Sequence, residues 1–211
     1  MLTTSLHQFL LFAHIIAFAF AFVAVVRADL ALLSAERIDP EWPHAVARPI
    51  LLLLGVLWLT GAALIWMQYG LDPGAVAARP KLLAKLAVVV LLTCNGLLLH
   101  TIAFPLLTRP TRRPRMAATV SSVLGAVSSA TWLYASFVGT ARVIGPTLSF
   151  AGFMLLYAGC LGVALVIALT LVRPRIERLI AAPAVAVPDV DALPTGLMSG
   201  APADAAMRPA A

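Results

Sequence analysis

Five long apolar runs, broken by short clusters of charge, proline and glycine, organise the chain; they cover residues 6–26, 50–69, 86–107, 117–139 and 148–172. A bilayer core about 30 Å thick is crossed by a helix of about 20 such residues, so each run is long enough to span it. The charged, proline and glycine residues between them are those that end helices and turn the chain. The pattern predicts an all-α fold: a polytopic transmembrane bundle of about five helices within residues 1–178. Residues 179–211 are rich in alanine and proline and carry few large apolar side chains. Such a segment cannot bury enough surface to offset its ordering entropy, which predicts a disordered tail. The first run resembles a signal peptide only superficially. Residues 1–8 hold no Lys or Arg, and the run exceeds the usual signal core of about 7 to 15 residues. It is read as a permanent helix.

Composition sharpens this reading. The chain is 62% hydrophobic and 11% charged, with a mean hydropathy of +0.98, where a soluble domain carries about a quarter charged residues. A water-soluble core is excluded. The net charge of +6 does not indicate a nucleic-acid partner, because the basic residues sit between apolar runs and form no patch interleaved with aromatics. They read instead as topology. Ten basic residues (Arg27, Arg37, Arg48, Arg109, Arg112, Arg113, Arg115, Arg173, Arg175 and Arg178) fall on one side of an alternating arrangement, and four (Arg79, Lys81, Lys85 and Arg142) fall on the other. Because cytoplasmic loops are enriched in Lys and Arg, the amino terminus is expected outside and the carboxyl terminus in the cytoplasm. Trp66 and Tyr69 suit an interfacial aromatic belt at the outer end of helix two. Cys94 and Cys160 lie in apolar runs without C-x-x-C spacing, which argues for buried, inert thiols.

Ionisable and polar groups inside the membrane are costly to desolvate and mark functional sites. Helix one carries His14, with His7 near its outer end. Helix three carries Asn95 and His100, with Lys81 and Lys85 at its start. At about 100° per residue, Lys81, Lys85, Leu92, Gly96 and His100 share one side of helix three, which should face the bundle. Two helix-borne histidines could ligate haem or a metal through a neutral imidazole nitrogen. Depth complicates a shared haem: His14 is expected roughly 12 Å below the outer end of its helix and His100 roughly 21 Å below the outer end of helix three, at 1.5 Å per residue. Asn95 matches His14 better, so a hydrogen-bonded His14–Asn95 pair is the plainer expectation. His100 can instead be an interfacial histidine in contact with water. Lys81 and Lys85 can reach the outer surface by extending their stems, or clamp a substrate or a haem propionate.

Helix four is polar differently. Ser121, Gly125, Ser128 or Ser129, and Trp132 recur at helical spacing as a stripe of small residues, and helix five carries Gly152, Gly159 and Gly162. The simple expectation is close packing of helices four and five through these residues; a hydroxyl-lined solute path is the sharper one. Asp29, Glu36, Asp39 and Glu41 are assigned to the first cytoplasmic loop as solvated charges, which leaves no carboxylate in the membrane for proton coupling. No G-x-S-x-G element, P-loop, H-E-x-x-H or paired-carboxylate constellation occurs.

The segment LLFAHIIAFAF in helix one, WLTG in helix two, and KLLAKLAVVVLLTCNGLLLH in helix three together resemble the small copper-resistance D and HemJ-type membrane proteins. The resemblance spans the first three helices and departs from the family at the serine-rich fourth. It implies a bacterial inner-membrane protein holding b-type haem, with His14 and His100 as ligands and Lys85 at the matching helix start. Three classes follow from the sequence. One is a haem- or metal-binding protein with His14, His100, Asn95 and Lys85 at its site; the others are a non-enzymatic transport or permeation protein, and a structural accessory subunit. The lipid bilayer is the expected partner in each case, with a second copy or a membrane subunit as a further candidate.

Overall fold

The computed structural model describes residues 2–70, 72–141 and 147–181. Among them are five helices long and apolar enough to cross a membrane: α1 (Leu2–Ser34), α2 (Trp42–Tyr69), α3 (Pro80–Thr108), α4 (Pro114–Thr140) and α5 (Phe150–Ala181). No strand occurs among the described residues. The chain is a polytopic all-α membrane protein. Of the expected disordered tail, residues 182–211 lie outside the described residues, as does Arg142; residues 179–181 continue α5.

The helices outrun the apolar windows. Hydropathy marks only the length immersed in lipid, whereas the backbone ladder continues wherever the sequence still favours helix. Thus α1 runs on through Arg27, Ala28 and Asp29 to Ser34 and is about 50 Å long at 1.5 Å per residue. Proline stands in the first turn of α2, α3 and α4, where its missing N–H costs nothing. At the start of α5, Ser149 Oγ accepts from the Gly152 N–H at 3.1 Å. Gly70, at the end of α2, has φ 63°, a conformation that favours glycine. Two wide helical turns, Leu99–Ala103 in α3 and Ala168–Val172 in α5, lie just before Pro105 and Pro174. Widening the turn relieves the clash between a mid-helix proline ring and the carbonyl four residues earlier.

Three apolar clusters hold the bundle. In the first, Ala17, Ala21 and Val25 of α1 pack against Leu54 and Leu57 of α2, with Leu92 and Trp132 beside them. In the second, Ala84 and Val88 of α3, Tyr134 and Val138 of α4, and Phe153 and Tyr157 of α5 interlock. The third gathers Leu32, Ile38, Leu107, Ala118 and Ile176. Those residues belong to the end of α1, the first loop, the end of α3, the start of α4 and the end of α5. Helix directions therefore alternate, and the ten-residue basic set collects toward this one end of the bundle.

Helices α4 and α5 do pack, though by other residues than the glycines. Tyr134 OH donates to the Phe153 carbonyl, and Thr131 Oγ1 and Tyr157 OH are 2.9 Å apart. A Cβ built at Gly125, Gly159 or Gly162 would meet nothing within 4 Å. The small residues do not form the contact; large aromatic side chains bridge it.

Candidate functional site

Two polar stations flank α1 at different levels. The first is a seam centred on His14. Its Nδ1 lies 2.7 Å from Thr60 Oγ1 of α2. Thr60 Oγ1 also lies 2.7 Å from the Val56 carbonyl, within donating distance of its hydroxyl. With the Thr60 proton on that carbonyl, Nδ1 donates to Thr60 and Nε2 keeps a lone pair; with that proton on Nδ1, the ring proton sits on Nε2. The next residue, Gly61, gives the ring its place: a Cβ there would stand 3.4 Å from His14 Cε1. Trp58 Nε1 donates to Thr93 Oγ1 of α3 at 3.0 Å. The WLTG segment is thus a three-helix joint, with Trp58 tying α2 to α3 while Thr60 and Gly61 tie α2 to α1. Lys85 of α3 lies near enough for its charge to act on the His14 ring, whereas Lys81 Nζ donates to the Ala141 carbonyl at 2.6 Å.

The second station is a cavity of about 120 Å³ between α1, α2, α3 and α4, toward the basic end. Its wall is mostly apolar, with Leu51, Leu54, Phe104 and the indoles of Trp42 and Trp132 among the lining residues. The polar groups facing it are Asp29, His100, Ser121 and Ser128. Asp29 was expected in a solvated loop, but α1 extends past it. Its Oδ2 accepts from Ser129 Oγ at 2.6 Å, within the bundle. The extension of α1 by two further turns is what carries a carboxylate into the protein. His100 stands on the wide turn of α3, edge-on to His44 of α2 and to Phe104, with ring centroids 6.4 and 6.2 Å apart.

The four residues singled out from sequence are not gathered at one point. Lys85 stands within electrostatic range of His14. Asn95 does not bond His14; its Nδ2 donates to the Leu124 carbonyl of α4 at 3.1 Å, and its Oδ1 is buried without a partner. His100 lies level with Ala28, Asp29 and Leu32 around the cavity. His14 precedes Ala28 by fourteen residues, about 21 Å along α1. One metal centre cannot bond both imidazoles. Sequence reading missed Thr60, Asp29 and His44. The first two had a signal, since Thr60 stands inside the quoted WLTG segment and Asp29 continues the helical run of α1. The expected stripe of Ser121, Gly125, Ser128 and Trp132 is real, and all four residues line the cavity. No group of three or more His, Cys, Asp or Glu side chains capable of holding a metal occurs among the described residues.

Comparison with protein-family models, with curated proteins and with solved structures gives no match. The class follows from the fold itself: an integral membrane protein of five apolar helices, with a hydrogen-bonded imidazole at one level of α1 and a carboxylate-bearing cavity at another.

Proposed function

We propose that the protein is a bacterial inner-membrane protein that holds a cofactor of the b-type haem or metal class through His14. The observation that supports this is the chain from His14 Nδ1 through Thr60 to the Val56 carbonyl. Ligating histidines characteristically donate their second ring nitrogen to a fixed acceptor, which sets the tautomer and raises the basicity of the ligating nitrogen. In the tautomer that puts the proton on Nδ1, Thr60 is that acceptor and Nε2 keeps its lone pair. Lys85 supplies a positive charge within electrostatic range of the ring, suited to an anionic edge such as a haem propionate. The donor set fits one protein ligand from His14, not a bis-histidine site, because His100 stands about 21 Å away along the bundle. Haem bound there would supply one-electron chemistry; the chain's own part is to hold the ring, fix its proton and enclose it in apolar side chains. The resemblance to copper-resistance D and HemJ-type proteins points the same way. The excess of arginine at one end of the bundle supports an outside amino terminus and a cytoplasmic carboxyl terminus.

The test is an absorption spectrum of protein purified in mild detergent, oxidised and then reduced. A Soret band that His14→Ala removes, that Thr60→Val weakens by lowering cofactor affinity on the order of 10- to 100-fold, and that His100→Ala leaves in place is the expected result. A colourless, metal-free preparation with unchanged folding would leave His14 a packing residue. A reporter active only in the cytoplasm, fused to the carboxyl end, should give signal; an expressed but silent fusion would reverse the orientation.

A further inference from the structure

The continuation of α1 past Asp29 reverses an exclusion drawn from the sequence, because it puts a carboxylate inside the bundle. Ser129 holds Asp29 Oδ2, while Oδ1 has no hydrogen-bond partner among the described residues. Asp29 shares its cavity with three other polar side chains. Ser121 is 6% exposed, and its Oγ is buried without a protein partner. Ser128 has no hydrogen-bond partner among the described residues and stands about 10 Å from Ser121 along α4. His100 lines the cavity on one side and is exposed on another. Its ring is edge-on to that of His44, an exposed residue in the first turn of α2, beside the first loop. A buried polar atom in a membrane protein is met by protein or by water. For Ser121 Oγ the protein supplies nothing.

We propose that this cavity is a hydrated chamber through which Asp29 exchanges a proton, by way of His100, with the aqueous phase at the basic end of the bundle. Spacing selects water over a solute. No single small headgroup reaches both serines and Asp29, whereas a file of waters, each able to donate and to accept, meets a carboxylate, two hydroxyls and an imidazole together. A water takes about 30 Å³ of the liquid, so about 120 Å³ holds several. A lipid chain would bring no donor or acceptor and leave Ser121 Oγ unmet. Asp29 and His100 are the titratable side chains in the wall among the described residues; α2 brings Trp42 and apolar side chains, and α4 brings hydroxyls, Gly125 and Trp132. Beyond the wall stand His44, beside His100, and Arg175 of α5, which donates to the Ala35 carbonyl. The step is a proton transfer without electron transfer. The Asp29 O–H bond breaks as a water takes the proton, each water passes one on, and a His100 ring nitrogen receives it. A carboxyl becomes a carboxylate, and the imidazolium formed releases its proton to water beyond His44. No cofactor at His14 is needed.

Two measurements on the full-length protein in mild detergent test this. In hydroxyl-radical footprinting, water inside a protein oxidises the side chains around it. Trp132 lines the cavity and is only 2% exposed, so its oxidation reports the water there. It should be oxidised in the wild type, and Gly125→Leu, whose side chain grows into the cavity, should cut that oxidation on the order of ten-fold. Trp132 left intact in the wild type, or oxidised equally in Gly125→Leu, would mark a dry or lipid-filled cavity and overturn the proposal. The second readout is the infrared difference spectrum between mildly acidic and mildly alkaline solution. A protonated-carboxyl stretch that Asp29→Asn removes should shift promptly on mixing with D2O, and His100→Phe should slow that exchange on the order of 100-fold. No such band, a band that does not exchange, or equal exchange in His100→Phe would overturn the proton route. Footprinting of the wild type uses no variant, so a dry cavity is detected even if a substitution prevents folding.

Discussion

Helix α4 has two faces of similar composition and opposite fate. One, carrying Thr131, Tyr134 and Val138, closes on α3 and α5, where Phe153 is fully buried and Tyr157 reaches back to Thr131. The other, carrying Ser121, Gly125, Ser128 and Trp132, opens on a cavity. Both contain small and hydroxyl residues. What separates them is the neighbour: α5 projects the Phe153 and Tyr157 rings into the first gap, whereas α1 presents Val25, Ala28, Asp29 and Leu32 to the second. Small residues permit close approach of helices in a membrane, but they do not compel it. Where the facing helix brings no ring, as beside Ser121, Gly125 and Ser128, the same residues leave a hole.

The strongest challenge to this contrast is Phe153→Ala. Emptying the closed face should destabilise the protein by about 3 to 5 kcal/mol, measured by denaturant unfolding in detergent. A loss below about 1 kcal/mol would mean that the aromatic cluster does not hold α4 to α5.

Next in size is a contrast between two glycines. Gly61→Leu must displace His14, which stands at contact distance from any Cβ placed there, and should cost about 1 to 3 kcal/mol. Gly125→Leu should cost far less, because its side chain grows into space. Equal losses at both positions would show that the cavity collapses or that the seam yields.

Thr131→Val keeps the volume of the closed face and deletes the hydroxyl that meets Tyr157, so a loss of about 1 kcal/mol is expected. The smallest effect has the opposite sign. Gly125→Ala should raise stability by up to about 1 kcal/mol through helix propensity alone, seen as a modest rise in the midpoint of detergent unfolding. A clear loss at Gly125→Ala would contradict the open face.

Much of this architecture was legible in the chain. The five spans follow from apolar run length, and the common end of the bundle follows from where the arginines fall, because both express the energy of placing a residue in lipid or water. That His14 and the stripe on α4 face protein was also readable, since a polar residue amid twenty apolar ones has to face protein or water. Helix ends were less so. Hydropathy stops at Val26, but the helix does not, and that difference moved Asp29 from a presumed loop into the bundle.

Partners were not legible at all. Depth along the helices made Asn95 the natural match for His14, yet Asn95 turns to the Leu124 carbonyl and Thr60 takes the imidazole. Depth is a one-dimensional property that sequence spacing supplies; facing is set by how each helix rotates about its axis, and that rotation is chosen by the packing of all five together. By itself the sequence therefore determined the number of helices, their alternation and the scarcity of polar groups within them. Only the tertiary structure decided which of those groups meet, because a 100° turn of one helix leaves every depth unchanged and exchanges every contact.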